Sequence, residues 1–186
     1  YSTFMQRAYD QIIHDSLLQN LPIIFCMDRA GIVGPDGPTH HGVNDIAFMR
    51  SFPGMIVSAP KDGNEMLSLI HLAIKNKLML SIRYPKLSTG LDLNKEVDDI
   101  KIGKWDIVLE GSKICILTFG SMISNSLEAA NLNKDMITVV NCRFIKPLDH
   151  ELLNKLVDSH DYFISIEEGI ISGGFGSFIS EYFSKN

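Results

Sequence analysis

The chain has 186 residues, of which 45% are hydrophobic and 21% charged, so it can bury the core of one large domain or two small ones. Its formal net charge of −5 argues against a general nucleic-acid binder, which is normally basic, but leaves room for phosphate ligands held by a few arginines. The longest apolar runs fall short of the roughly 18 residues that a transmembrane helix needs, so the sequence predicts no membrane span.

The first half of the chain alternates predicted helices and strands. Apolar residues recur near the helical period over 6–19, which predicts a helix, and 22–27 is a continuous apolar run typical of a parallel strand buried on both faces. Residues 28–42 are rich in glycine and proline and predict a loop. Further predicted elements are a helix at 43–50, a strand at 55–59, a helix capped by Asp62 or Asn64 and apolar through 74, and a strand at 80–84.

A change of composition then divides the chain. Residues 87–103 become rich in Asp, Asn, Lys and Glu, which predicts a linker between a first domain at 1–86 and a second at 104–186. The second domain has predicted strands at 113–119, 136–141 and 162–166, and predicted helices at 121–132, 148–157 and 174–183. Alternating strands and helices indicate an α/β fold with two doubly wound, mainly parallel sheets.

The three cysteines lie in or directly after apolar runs. Cys26 and Cys115 fall within predicted strands, and Cys142 follows one. An odd number of cysteines in apolar settings predicts reduced, buried thiols in a reducing compartment.

Polar residues follow the predicted strands of the first domain. Arg29 comes directly after the strand at 22–27, at the edge where open α/β sheets bind ligands, and its planar fork suits a phosphate. Arg83 and Lys86 close the strand at 80–84 and offer two further cations, although Lys86 alone could be an ordinary surface lysine. Asp28 and Arg29 could also simply pair with neighbouring charges.

Two other groups allow a structural and a functional interpretation. Asp36, His40 and His41 lie on the glycine-rich loop, where histidines are either solvated or reactive; their spacing does not match a metal site. Tyr1, Phe4 and Arg7 are either core aromatics with a surface arginine or a platform for a flat heteroaromatic ring.

A glycine-rich segment near the end of the chain follows a predicted strand and opens a helix. The run GGFG at 173–176 only partly matches a dinucleotide fingerprint, which makes a nucleotide-binding module a poorly supported alternative. Glu167, Glu168 and the residues at 173–176 are interpreted as structural or interfacial.

Three segments together carry a family resemblance: YSTFMQRAYDQ at 1–11, DRAGIVG at 28–34 and DGPTHHG at 36–42. In this order they resemble the pyrimidine-binding domain of the 1-deoxy-D-xylulose 5-phosphate synthase family. The members of this family are thiamine diphosphate-dependent enzymes of the transketolase superfamily. The EEG and GGFG segments at 167–169 and 173–176 resemble that superfamily's C-terminal domain. The family usually has RYPRG where this chain has RYPKL at 83–87, which puts the phosphate geometry at Lys86 in question.

The resemblance implies roles for individual residues. Phe4 would stack on the thiamine aminopyrimidine with Arg7 close to it, and Tyr1 would line the substrate pocket. His40 would shuttle protons and Asp36 would position the bound intermediate. Arg29, Arg83 and Lys86 would bind the substrate phosphate.

The resemblance also implies a reaction and its partners. The enzyme would condense pyruvate with glyceraldehyde 3-phosphate, with loss of CO₂, to give a precursor of isoprenoids, thiamine and pyridoxal. It would act as a homodimer in a bacterial cytoplasm or a plastid. Because the chain begins at Tyr1, we expect the N-terminal domain that holds the diphosphate, the Mg²⁺ and a glutamate to be missing, the C-terminal domain to be cut short and the chain alone to be inactive.

Two alternatives remain open on sequence grounds. The chain could belong to another thiamine diphosphate enzyme, either a transketolase or a 2-oxoacid dehydrogenase beta subunit. It could instead be a non-catalytic subunit that shares the fold, although a pure scaffold has no need for Arg29, Asp36 and His40 to converge at the strand ends.

Overall fold

The computed structural model describes residues 1–88 and 97–185. Within these residues the chain forms two four-stranded sheets, with strand orders β1-β3-β2-β7 and β4-β6-β5-β8. The strands are β1 Ile24–Met27, β2 Ile56–Ser58, β3 Leu80–Arg83, β4 Asp106–Leu109, β5 Ile114–Thr118, β6 Ile137–Asn141, β7 Phe144–Lys146 and β8 Tyr162–Ile166. The predicted α/β class with two mainly parallel sheets is confirmed.

Helices pack against strands of both sheets. A broken helical segment opens the chain, with α1 at Ser2–Met5, a 3₁₀ turn at Gln6–Ala8, α2 at Tyr9–Gln11 and a π-helix at Ile12–Leu17. The other helices are α3 Asp45–Ser51, α4 Gly63–Asn76, α5 Met122–Ala130, α6 His150–Ser159 and α7 Phe175–Phe183, with short 3₁₀ turns at Gly34–Asp36, Pro38–His40 and Asn131–Asn133. The helix predicted at 6–19 is thus a run of distinct helical turns that begins earlier.

Parallel pairing in the first sheet places the ends of β1 and β3 side by side. Ile24 of β1 and Ile56 of β2 both align with Leu80 of β3. β7 adds an antiparallel edge beside β2, although it comes from the C-terminal half of the chain. The prediction that 22–27 is buried on both faces is wrong, because β1 lies at a sheet edge and leaves Cys26 exposed. Cys115 and Cys142 are buried as predicted, and all three thiols are free.

The second sheet has a parallel centre and one antiparallel edge. β5 pairs in parallel with both β6 and β8, while β4 pairs antiparallel with β6. Of the predicted helices of this half, the one at 148–157 corresponds to α6, whose first turn is capped by the Asp149 side chain at the Leu152 amide, 3.1 Å away.

A continuous apolar core joins the two halves. Phe119 and Phe175 pack edge to face with ring centroids 5.3 Å apart, and Trp105 lies 6.1 Å from Phe175. The Trp105 indole donates to the Phe144 carbonyl at 2.8 Å, which satisfies its buried N–H. Buried side chains from both halves belong to this cluster, including Met49, Val57, Ile82, Leu117, Val140 and Leu153.

The predicted linker at 87–103 lies partly outside the described residues. Its described end is anchored, because Ile100 is buried in the core and the Asp98 amide donates to Ser68 Oγ at 3.1 Å. In the described ranges, no helix is long and apolar enough to cross a membrane.

Candidate active site

The candidate site lies where the neighbouring strands β1 and β3 end. Because the two strands are parallel, Arg29 after β1 and Lys86 after β3 emerge at the same edge of the sheet. Arg29 adopts a left-handed backbone conformation with φ of 56°. A bulky residue in this region is strained by roughly 1–3 kcal/mol, and such strain is concentrated at functional sites.

Residues 30–42, which we call the site loop, leave and rejoin the sheet edge at one point. Gly31 and Gly42 exchange two backbone hydrogen bonds, both 2.8 Å long, and the Ala30 amide donates to the Tyr84 carbonyl at 3.0 Å. Gly42 has no room for a side chain, because a Cβ would lie 2.5 Å from Ser2 Oγ and 2.6 Å from the Arg29 carbonyl. The loop is therefore closed at its base and presents its tip, with Asp36 and His40, beside the strand ends.

A charged cluster joins the site loop to the end of β3. Lys86 Nζ donates to both carboxylate oxygens of Asp36, at 3.0 and 3.2 Å. Arg29 Nε lies 3.7 Å from the same carboxylate, and Arg29 also pairs with Asp28. The hydrogen bond from Lys86, followed by the charges of Lys86 and Arg29, lowers the pKa of Asp36, so this carboxyl is ionised at neutral pH.

Three rings form an aromatic group next to this cluster. The ring centroids of Tyr1, Phe4 and His40 lie 5.0 to 5.8 Å apart, and the His40 ring is edge-on to the other two. Arg7 lies over Phe4 at 5.2 Å and Arg29 lies over Tyr1 at 4.2 Å. Tyr1 and Phe4 remain more than a third exposed, so they present aromatic surface that a flat ring could cover.

His40 and His41 have different surroundings. A hydrogen bond of 2.8 Å joins His40 Nδ1 to Thr39 Oγ1. His41 Nδ1 instead accepts from the Val33 amide at 3.2 Å, a contact that stabilises the site loop. Since the Thr39 contact occupies Nδ1, Nε2 is the His40 atom left to exchange a proton with a ligand.

Arg83 is placed differently from the other predicted phosphate-binding residues. It is buried, and its Nε donates to the buried Asp45 carboxylate at 2.8 Å. Its Nη2 donates to the Glu168 carbonyl at 3.0 Å and lies 3.4 Å from the Gly42 carbonyl. These contacts hold the base of the site loop, and direct phosphate binding by Arg83 stays a prediction.

Two residues of this region have roles that the sequence did not predict. Asp45 is the buried counter-ion of Arg83. Ser2 was not considered, although its amide donates to the Asp28 carbonyl at 2.8 Å and fixes α1 beside Gly42. Both roles depend on contacts between residues that are far apart in the sequence, so no local pattern predicts them. Among residues 1–88 and 97–185, no three or more His, Cys, Asp or Glu side chains are grouped to hold a metal ion.

Family models match both halves of the chain. Residues 1–90 match the pyrimidine-binding domain of transketolase, and residues 103–186 match the transketolase C-terminal domain. Curated relatives include the 1-deoxy-D-xylulose-5-phosphate synthases of Syntrophus aciditrophicus and Dictyoglomus thermophilum, which are 46% and 48% identical over 100% and 97% of this chain. The chain spans 29% and 30% of the length of these two relatives.

Two solved transketolase structures share the fold of this chain. A structure described as a split-gene transketolase, in an inactive β4 tetramer, aligns with a TM-score of 0.88 at 25% identity, and covers all of this chain and 61% of the other. Transketolase from Campylobacter jejuni aligns over 98% of this chain and 32% of its own length, with a TM-score of 0.68 at 20% identity, and shares the fold.

Proposed function

The chain belongs to the transketolase superfamily, and from this we propose that it is the pyrimidine-binding and C-terminal part of a 1-deoxy-D-xylulose 5-phosphate synthase. The reaction would join pyruvate to glyceraldehyde 3-phosphate with release of CO₂. The observation that carries the proposal is the meeting, at one sheet edge, of an exposed aromatic group with His40, Asp36 and two cations. The high identity to named synthases supports this choice over other thiamine enzymes.

The aromatic group fits the cofactor. Thiamine diphosphate, when bound, supplies the electron sink for decarboxylation and carbon–carbon bond formation. We assign Phe4 to stacking on the aminopyrimidine and Arg7 to its neighbourhood, because the Phe4 ring is exposed and already forms part of a ring cluster. The diphosphate and Mg²⁺ are assigned to a part of the enzyme outside this chain.

Proton transfer is assigned to His40 and positioning to Asp36. With Nδ1 held by Thr39, His40 Nε2 can give a proton to, or take one from, an oxygen of the substrate. Asp36 is held ionised by Lys86 and can accept a hydrogen bond from a substrate hydroxyl. Tyr1 lies edge-on to His40 and would line the substrate pocket.

Phosphate binding is assigned to Arg29 and Lys86, with Arg83 supporting them from behind. Arg29 offers parallel donors in one plane, whereas Lys86 offers a compact charge on a flexible stem. Both cations neighbour Asp36, so the phosphate would share them with this carboxylate. A lysine in place of the arginine usual in the family keeps the charge but loses the two-pronged contact.

Assembly and location follow from the same proposal. We propose a homodimer, which is supported by the superfamily resemblance and by the self-assembly described for the split-gene transketolase. The relatives above come from bacteria, which supports a bacterial cytoplasm over a plastid. Turnover would require the diphosphate-binding part of the enzyme, so we expect this chain alone to be inactive, and measurable turnover by it would contradict this expectation.

The product identifies the reaction. We would incubate the full-length enzyme with thiamine diphosphate, Mg²⁺, pyruvate and glyceraldehyde 3-phosphate, and identify the products by mass spectrometry. The proposal predicts CO₂ and 1-deoxy-D-xylulose 5-phosphate. Exchange between ketose and aldose phosphates without pyruvate would identify a transketolase instead, acyl transfer would identify a 2-oxoacid dehydrogenase subunit, and no conversion would favour a non-catalytic subunit.

A further inference from the structure

Two consecutive glutamates after β8 point to opposite sides of the boundary between the two halves. Glu167 stays within its own half, where its carboxylate accepts from the amides of Phe175 and Gly176 at 3.0 Å and caps α7. Glu168 reaches across to the first half and contacts the base of the site loop. Glu167 thus has a local structural role, whereas Glu168 contacts the candidate site.

The Glu168 carboxylate lies directly against the site loop. A Cβ on Gly31 would come within 2.8 to 2.9 Å of this side chain, so the approach requires the glycine and its left-handed φ of 80°. The carboxylate also lies 3.5 Å from the Ile32 amide and accepts from Ser121 Oγ, at the start of α5, at 3.0 Å. One carboxylate therefore links the loop to a helix of the second half.

The Glu168 main chain makes a second link. Its carbonyl accepts from Arg83 Nη2 at 3.0 Å, and Arg83 in turn pairs with Asp45 at the start of α3. Arg83 also lies near the Gly42 carbonyl, at the other end of the site loop. Gly31 therefore contacts Glu168 directly, and Gly42 is linked to Glu168 through Arg83.

We propose that Glu168 is a positioning residue through which the C-terminal half fixes the site loop, and with it Asp36 and His40, in the geometry needed for catalysis. The inference rests on the roles proposed above for these two residues. It gives the C-terminal half a part in the reaction without contact between Glu168 and the substrate. The carboxylate acts by holding the Gly31–Gly42 closure, because it packs on one partner of that closure.

The test compares Glu168→Ala with Glu168→Gln in the full-length enzyme. Gln keeps the length and one oxygen for the Ile32 amide, and its NH₂ can donate to Ser121 Oγ, whereas Ala loses both contacts. Glu128→Gln is the matched control, because Glu128 is an exposed glutamate on α5 of the same half. Hydrogen exchange of the Gly31 and Gly42 amides reports the loop, exchange of the β5 amides reports the fold, and steady-state kinetics report catalysis.

We expect Glu168→Ala to speed exchange at Gly31 and Gly42 by about tenfold with β5 unchanged. Its kcat should fall by about 10- to 100-fold, the effect of a displacement of about 1 Å at a catalytic group, with a smaller change in KM for either substrate. Glu168→Gln should restore both readouts to within about twofold of the parent. Unchanged exchange in β5 for both variants would show that a loss of overall stability is not the cause.

Several results would overturn the inference. Unchanged exchange at Gly31 and Gly42 in Glu168→Ala would do so, whatever the activity, and so would a Gln variant as impaired as the Ala variant. If Glu168→Ala fails to fold, Ser121→Ala removes only the hydroxyl on the carboxylate, and unchanged loop exchange there counts against the inference in the same way. A wrong assignment of His40 would be recognised separately, because His40→Ala would then keep full activity while the exchange readout still tests the loop.

Discussion

Two regions of the molecule pair a carboxylate with basic side chains, but one is buried and the other is partly exposed to solvent. Around Glu65 of α4, a buried carboxylate accepts from Arg143 Nε at 2.7 Å and from Asn141 Nδ2 at 2.8 Å, and Glu65 is only 2% exposed. Around Asp36, a carboxylate is shared by Arg29 and Lys86, and the Lys86 side chain is 52% exposed. We call Glu65, Asn141 and Arg143 the buried network. Arg29, Asp36 and Lys86, with His40 beside Asp36, are called the open cluster.

The two regions differ in what their charged groups contribute to stability and to ligand binding. Removing one partner from a buried pair leaves an uncompensated charge in a medium that solvates it poorly, so the buried network fixes how the two halves pack. Exposed pairs contribute little to stability because water and salt screen them. The charges of the open cluster are thus free to exchange their partners for those of a ligand, which is what a substrate site requires.

The largest expected effect on stability is at the buried network. Glu65→Ala leaves Arg143 Nε and Asn141 Nδ2 without their acceptor, while Arg143 keeps its pairing with Asp106. Because each unsatisfied buried donor costs about 1–3 kcal/mol, the free energy of unfolding should fall by about 2–5 kcal/mol. Denaturant unfolding of the purified protein followed by circular dichroism measures the change. Glu128→Ala, at an exposed position on α5, serves as the control and should change stability by less than about 0.5 kcal/mol. A loss at Glu65 no larger than that of the control would remove the distinction between the two regions.

A smaller loss is expected at the base of the site loop. The Cβ of Gly42→Ala would press on Ser2 Oγ and the Arg29 carbonyl, an overpacking that costs about 1–3 kcal/mol. Gly34→Ala in the same loop meets open space and should cost only about 1 kcal/mol for its left-handed backbone. Thermal unfolding of both variants separates the two causes, and equal losses would show that the closure at Gly42 is not tightly packed.

The smallest effect concerns the open cluster and pH. The hydrogen bond from Lys86 is the main cause of the lowered pKa of Asp36, so Lys86→Ala should raise this pKa toward its ordinary value, while Lys86→Arg should keep it low. Because the folded-state pKa lies below the unfolded value of about 3.9, the pair favours folding above that pH, and the contribution is lost as the pH falls through the folded-state pKa. Carboxyl NMR titration measures it, and an unchanged Asp36 pKa in Lys86→Ala would contradict the pairing.

Sequence patterns predicted the open cluster better than the buried network. Arg29, Asp36 and His40 stand directly after a strand or on a glycine-rich loop, and such positions are visible from local sequence. In the buried network, Glu65 lies 76 residues from Asn141 and 78 from Arg143, so neither contact leaves a local signal.

The strands show the same contrast between local sequence pattern and tertiary packing. Short runs rich in apolar residues predicted β3, β5, β6 and β8 to within one residue at each end. β7 has only three residues, too few to show a period, and its antiparallel place beside β2 depends on tertiary packing. Cys26 was misjudged for the related reason that an apolar run does not reveal whether its strand lies at the centre or the edge of a sheet.

The catalytic role proposed for His40 can be tested by measuring kcat and the free energy of unfolding together for His40→Ala in the full-length enzyme. His71→Ala is the matched control, because His71 is exposed on α4 away from the site loop. We predict that His40→Ala lowers kcat by about 10²- to 10⁴-fold, the usual contribution of a general acid–base residue, with unchanged stability, and that His71→Ala changes neither. Full turnover by His40→Ala, or a loss of activity explained by unfolding, would contradict the assignment of the open cluster as the catalytic site.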